Sequence, residues 1–170
     1  ELKIPEERVA VLIGEDGVMK KEIENQTQTA INITSDGEVT IQGNDGLNLH
    51  TAHEIVKAIG RGFNPKIALF LTKTDFSLEL IELRDIAGKN KNMMQRYKGR
   101  IIGQQGKARE ELERLTDTNI SVYGKTVAII GESGQALLAR KAIGMLIEGA
   151  MHRSVYRFLE KQKKEQLFGQ

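Results

Sequence analysis

Gly99-Arg100-Ile101-Ile102-Gly103-Gln104-Gln105-Gly106-Lys107-Ala108-Arg109 is the stretch that decides how this chain of 170 residues is read. Two glycines flank two polar residues, an apolar pair precedes them, and cations stand on both sides. Glycine permits backbone conformations and close approaches that a Cβ forbids. Between Ile86 and Arg109 there are seven Lys or Arg and no Asp or Glu, so the loop sits in a positive field. A backbone meant to lie against a sugar-phosphate strand needs both features.

Working outward, the composition is 39% hydrophobic and 28% charged, enough apolar material for a globular core in one domain or two small ones. No apolar run approaches the ~18 residues of a membrane span, and no signal-like segment opens the sequence, so a cytoplasmic, membrane-free protein is expected. Cysteine is absent, which excludes disulfides and thiolate metal sites and suits a reducing compartment. The overall charge of +2 conceals an asymmetry. Residues 1–75 hold 8 Lys/Arg against 12 Asp/Glu, whereas residues 76–170 hold 17 against 11. The basic half is the one suited to a polyanion.

Along the chain, Leu2–Ile4 reads as a short strand closed by Pro5. A helix follows with Val9, Leu12 and Ile13 on its apolar face, stopped by Gly14. A second helix from about Gly17 turns Val18, Met19 and Ile23 inward and breaks over Thr27–Thr29. Ile31 and Ile33 alternate with polar residues, Asp36-Gly37 turns the chain, and Val39 and Ile41 return. A helix carrying Leu49, Ala52, Ile55, Val56 and Ile59 ends near Gly60–Gly62.

The same order then recurs. At a shift of 89 residues, Ile13-Gly14-Glu15-Asp16-Gly17 meets Ile102-Gly103-Gln104-Gln105-Gly106. Ile23, Glu24, Thr27 and Thr29 meet Leu112, Glu113, Thr116 and Thr118, and Ile31 and Ile33 meet Ile120 and Val122. After single deletions, Val39, Ile41 and Gly43 meet Val127, Ile129 and Gly131, and Ala52, Val56 and Ile59 meet Ala139, Ile143 and Leu146. Agreement of apolar, glycine and turn positions over some fifty residues makes the chain two copies of one unit. In the second copy the first strand is read as Phe76–Leu83, and the first helix as about Lys91–Ile102. Ile67–Leu71 is read as a helix packing between the units. The last pattern runs through Met151, Val155 and Leu159 as a long or broken helix, polar and frayed over Lys161–Gln170.

A GxxG loop between the first two helices of such a unit resembles the KH domain, an RNA-binding module. The expected fold is therefore α+β: two tandem KH (type I) domains, each a three-stranded sheet covered by three helices. The corresponding boundaries are 1–62, an inter-domain helix or linker at 63–75, 76–150, and a C-terminal helical extension at 151–170. The doubled arrangement is similar to the archaeal relatives of the Partner-of-Nob pre-ribosomal factors. That resemblance implies a non-enzymatic protein that binds single-stranded RNA at the 3′ region of small-subunit rRNA. It also implies the alpha subunit of translation initiation factor two and a Nob-type endonuclease as partners, and no cofactor. Carried onto this sequence, Gly103, Gln104, Gln105 and Gly106 carry the phosphate path, while Arg100, Lys107 and Arg109 supply charge. Ile101, Ile102 and Val122 line the base groove, and Ser121 and Tyr123 read or stack on bases, with a plain strand-face role for Tyr123 equally open.

The first copy departs from that pattern. Its loop, Gly14-Glu15-Asp16-Gly17, sets two carboxylates where phosphates would lie, Val18 stands in place of Lys107, and Val11 in place of Arg100. Like charge opposes binding there, so the first copy is expected to serve as a spacer, a protein-binding surface or an auxiliary contact elsewhere. Other readings are weaker or fail. A Walker loop around Gly106-Lys107 would need a glycine at position 101 and Ser or Thr at 108, which are Ile101 and Ala108. Glu15 and Asp16 lack a third carboxylate for a metal, and His50 and His53 lack a second ligand pair. The runner-up functions are a general KH-type RNA regulator of exosome or decay kind and a protein-interaction scaffold. Arg153, Arg157, Lys161, Lys163 and Lys164 either extend a phosphate-binding surface or form a solvated helix face.

Overall fold

The computed structural model describes residues 1–169 and divides into two compact units between Leu78 and Glu79. The first contains β1 (Leu2–Lys3), a 3-10 turn (Glu6–Arg8), α1 (Val9–Ile13), a 3-10 turn (Glu15–Gly17) and α2 (Val18–Thr27). These are followed by β2 (Ala30–Ile33), β3 (Glu38–Gln42), α3 (Gly46–Gly60), α4 (Pro65–Ala68) and a 3-10 turn (Leu69–Thr72). The second sheet opens with β4 (Phe76–Glu82), followed by α5 (Leu83–Ala87), α6 (Lys91–Ile102), a 3-10 turn (Gln104–Gly106) and α7 (Lys107–Thr116). Then come β5 (Asn119–Tyr123), β6 (Thr126–Glu132), α8 (Ser133–Ile147) and α9 (His152–Phe168).

Each unit holds a three-stranded antiparallel sheet, in the order β1-β3-β2 and β4-β6-β5. Ile31 lies opposite Ile41, and Ile120 opposite Ile129. The alternation of apolar and polar residues in β2 buries Ile31 and exposes Asn32, as a period of two on a half-covered sheet requires. β6 is central and buried from Thr126 to Gly131, which is why its sequence reads as an unbroken apolar run. The second core gathers Leu83, Ile101, Leu112, Ile129, Ile143 and Leu146 under the sheet, and α9 adds the fully buried Val155 and Leu159 to it.

The polar positions shared by the two copies form one latch, built twice. Thr116 Oγ1 donates to the Leu112 carbonyl at 2.7 Å and lies 2.7 Å from Thr118 Oγ1. Thr27 repeats this with the Ile23 carbonyl and Thr29, both at 2.7 Å. One turn earlier, a Glu113 carboxylate oxygen accepts the Ile120 amide at 2.8 Å, and Glu24 accepts the Ile31 amide at 2.7 Å. The helix thus ends on an αL residue, Gln28 or Asp117, and the first core-facing amide of the following strand is satisfied by that helix.

Several expectations give way. Val18 is 60% exposed and does not face inward. It lies five residues from the buried Ile23, roughly 140° around a helix of 3.6 residues per turn. The strand expected over Phe76–Leu83 stops at Glu82, and Leu83 opens α5, a five-residue helix with no counterpart in the first unit. Pro65–Thr72 is an α-turn running into a 3-10 turn, packed on α3 within the first unit through Ala68 and Leu71. The terminal pattern is broken: Gly149 takes φ +107°, and Met151, expected inward, caps α9 at 58% exposure. From Lys161 onward the chain is helical to Phe168, and Gln170 lies outside the described residues.

Candidate nucleic-acid interface

α6 ends in the segment Gly99–Ile102, the loop turns through Gly103–Gly106, and α7 leaves directly from it. Gly103 holds φ 74°, ψ 179°, a region open essentially to glycine alone. A Cβ at this position would sit 2.6 Å from the Ala108 Cβ and 2.8 Å from its backbone nitrogen. Its role is close packing of the loop onto the buried first turn of α7. Gly106 has φ 75°, ψ 10° and open space where its Cβ would be, so it leaves room for something outside the chain. Between them Gln105 is left-handed at φ 55°, ψ 26°. The Lys107 amide donates to the Gln104 carbonyl, and the αL residue Gly106 supplies no side-chain cap, so the amides of the first turn of α7 after Lys107 are uncapped by a side chain. Orphan amides at the positive end of a helix suit a phosphate.

The first loop has the same backbone. Gly14 holds φ 77°, ψ 174°, Asp16 φ 54°, ψ 27° and Gly17 φ 74°, ψ 10°. What differs is charge. Exposed Glu15 and Asp16 occupy the turn that Gln104 and Gln105 occupy in the second unit, and exposed Val18 matches exposed Lys107. Among the described residues, no hydrogen bond or ion pair engages the side chains of Gln104, Gln105 or Lys107.

The remaining expected site residues divide between the loop face and the protein's own frame. Ile102 and Val122 are half-buried, as groove-lining residues must be, and Ser121 and Tyr123 stand half-buried beside Val122 on β5, the edge strand. Ile101 does not line an open groove: it is fully buried among the core side chains, since adjacent residues of a helix point about 100° apart. The guanidinium of Arg100 also turns inward. Its Nε donates to the Leu146 carbonyl at 2.8 Å, and Nη2 donates to the Ala150 carbonyl, closing the C-terminal end of α8. Arg109 donates to the Ile120 carbonyl at 3.2 Å and lies 3.6 Å from Glu113, so it braces β5.

Arg100 has a functional counterpart in the first unit, one turn away from the matching position. Arg8 Nε donates to the Ile59 carbonyl at 2.7 Å, and Nη2 to the Phe63 carbonyl at 2.8 Å. Ile59 and Phe63 precede Leu146 and Ala150 by the same 87 positions, so the carbonyl pair is repeated while the arginine has moved along its helix. Val11 therefore marks no loss of charge at the loop. His152, isolated in the sequence, also belongs to this stem: its Nε2 lies 2.7 Å from the Arg100 carbonyl, which as an acceptor requires the proton on that nitrogen. No motif announces His152 or the buried Ala108.

Lys89 and Lys91 are exposed at the N-terminal end of α6 and Arg96 is exposed midway along it, so the acid-free run read from the sequence presents its cations along that helix. Among the described residues no cluster of three His, Asp or Glu forms a metal site, and no helix is long and apolar enough to cross a membrane.

Two family models match the chain: the eukaryotic-type KH domain (KH-domain type I) over residues 77–164, and the KH domain over residues 1–58. A KH domain-containing protein of Methanocaldococcus jannaschii is 47% identical over 168 residues, covering 96% of this chain and 74% of that protein. The pre-rRNA-processing protein PNO1 of Debaryomyces hansenii is 31% identical over 109 residues, which span 64% of this chain and 43% of the yeast protein. The crystal structure of Dim2p from Pyrococcus horikoshii OT3 superposes with a TM-score of 0.87 at 47% identity, covering 94% of this chain and 96% of that one. Dim2p in complex with initiation factor a/eIF2alpha and rRNA, from the same organism, superposes equally well, with a TM-score of 0.87 at 47% identity over 96% of this chain and 93% of that one.

Proposed function

This chain belongs to the type I KH-domain family, in its PNO1 and Dim2p branch, and from that premise we propose that it binds single-stranded RNA in small-subunit ribosome biogenesis. Its target is the 3′ region of small-subunit rRNA, and its grip is the loop Gly103-Gln104-Gln105-Gly106 of the second unit. One observation carries this reading: two loops share a backbone, and the second alone combines it with uncharged turn residues and an exposed, unengaged Lys107 beside them. In this reading the protein is a cytoplasmic, non-enzymatic binding factor. The alpha subunit of initiation factor two, present in the Pyrococcus complex, is its partner, together with a Nob-type endonuclease. The first unit, with carboxylates in its loop, contributes protein contacts or spacing.

The test is the full chain carrying Gln104→Asp and Gln105→Asp, titrated with an oligonucleotide of the small-subunit rRNA 3′ end at several salt concentrations. Two charges set against the phosphate path are expected to abolish binding while leaving the thermal unfolding curve in place, because both side chains are exposed. Binding at parental strength would refute the assignment of the loop.

A further inference from the structure

α9 carries a charge pattern that the loop does not use. Arg153, Arg157, Lys161 and Lys164 are spaced by four, four and three residues, and so lie on one face. All four are exposed, on the side of the helix opposite the buried Val155 and Leu159. Among the described residues none of the four has a hydrogen-bond or ion-pair partner. A carboxylate on the same face, Glu160, feels the charge of Arg114 on α7.

We propose that this face of α9 is a second phosphate-binding surface, along which single-stranded RNA runs on after leaving the loop. The proposal rests on the RNA-binding reading of the loop and extends it. Continuity supports it first. His152, the first residue of α9, is hydrogen-bonded to Arg100, three residues before Gly103, so the stripe starts at the loop stem. From there α9 packs along α7 and runs with it away from the loop: Tyr156 senses Glu111, and Glu160 senses Arg114.

The second support is electrostatic. Helix dipoles favour cations in the last turn, but the last turn of α9 holds none, so the dipole accounts for none of the four. Arg153 stands in the first turn, at the positive end, where α9 has no acid. A cation held against its own helix is satisfied by an anion from outside. The third support is the absence of an apolar anchor. From Arg153 to Lys164, about 16 Å of helix at 1.5 Å per residue, no large apolar side chain is exposed among the described residues; Leu167 and Phe168 lie beyond. Protein partners are anchored by buried apolar and aromatic groups, whereas a phosphate strand needs a spaced row of cations.

Two RNAs test the proposal on the full chain: a four-nucleotide RNA, the length a KH loop grips, and a twelve-nucleotide RNA containing it. The variant is Arg153→Gln, Arg157→Gln, Lys161→Gln and Lys164→Gln together, with Arg153→Gln alone as a milder form. The quadruple variant is expected to bind the short RNA as the parent does. For the longer RNA its salt dependence should flatten by about 0.7 in the slope of log K against log salt for each phosphate left without its cation, and affinity should fall. An unchanged slope with the longer RNA overturns the proposal and leaves a solvated face or an acidic protein's docking surface. Equal loss on both RNAs also overturns it, since the charges would then act through the loop. Longer-RNA binding that survives Gln104→Asp with Gln105→Asp, yet falls in the quadruple variant, refutes the loop reading and keeps the stripe. Failure of the parent to bind either RNA refutes both.

Discussion

Replacing Arg100 by Ala separates a framework role from a phosphate-binding one. The structure commits its guanidinium to two backbone carbonyls, of Leu146 and Ala150, at the end of α8. Hydrogen bonds from a charged donor are worth about 1.5–3 kcal/mol each. Because Arg100 is half-buried, water can reach part of what it leaves behind, so we take the lower end and expect a loss of about 2–4 kcal/mol. For a unit of this size each kcal/mol corresponds to roughly 4–8 °C, so thermal unfolding followed by circular dichroism should begin at least about 8 °C lower. The slope of log K against log salt for RNA should stay where it was, because no phosphate-bound cation is removed. Arg100→Lys keeps the charge but not the forked geometry, and should recover less than half of the lost stability. The first unit supplies the internal control: Arg8→Ala should destabilise similarly, and adding Val11→Arg should restore part of it, since Val11 matches Arg100 and the carbonyls of Ile59 and Phe63 still need a donor. A melting point within 2 °C or so of the parent, together with a salt slope reduced by about 0.7, would refute this reasoning and return Arg100 to the RNA.

The two loop glycines should respond differently. Gly103→Ala meets both a glycine-only conformation and Ala108 at 2.6 Å, and should cost more than about 2 kcal/mol in urea unfolding. Gly106→Ala, in the left-handed region with open space, should cost about 1 kcal/mol and show itself mainly as weaker RNA binding. The Tyr156 phenol is pushed up by burial and, second, by the Glu111 carboxylate, which the Arg114 hydrogen bond holds below its usual range. Glu111→Gln should bring the phenol part of the way down in an ultraviolet titration, with burial keeping it above the ordinary value. A raised phenol pKa contributes stability that is full below about pH 10 and lost as pH rises through the folded value, so alkaline unfolding of the variant should shift accordingly. Finally, Glu15→Gln, Asp16→Gln and Val18→Lys in a chain whose second loop carries Gln104→Asp and Gln105→Asp should restore measurable RNA binding; none at low salt would show that more than loop charge separates the two units.

Much of the fold was legible because the same physical needs were written twice. Glu24, Thr27 and Thr29 recur as Glu113, Thr116 and Thr118, since each helix-to-strand junction requires the same latch. The loop was legible through its glycines and the absence of acids around it. Helical phase was harder to read. Ile101 and Ile102 look alike in sequence, yet one is fully buried and the other half-exposed, because phase is set by where α6 meets the core. Arginine roles were least legible. Arg100 beside a GxxG motif has the composition of a phosphate ligand, but its partners are carbonyls some fifty residues away, which no local pattern encodes. Arg8 and Arg100 do the same work from positions that do not align, so sequence matching recorded a substitution where the structure shows a displacement.

That displacement bears on how a loop can change its charge and keep its shape. The two loops agree in φ and ψ within a few degrees at every glycine and at the intervening left-handed residue, although one holds Glu15 and Asp16 and the other Gln104 and Gln105. A backbone that is indifferent to those side chains is fixed from behind, by Gly14 against Met19 and Gly103 against Ala108, and by the arginine that clamps the helix before it. Shape and charge are therefore separable. The frame enforces the turn in both units, and the two exposed residues at its tip set its charge alone. Carboxylates that point outward leave the φ and ψ of the turn unchanged, so the acidic copy keeps the same architecture as the uncharged one.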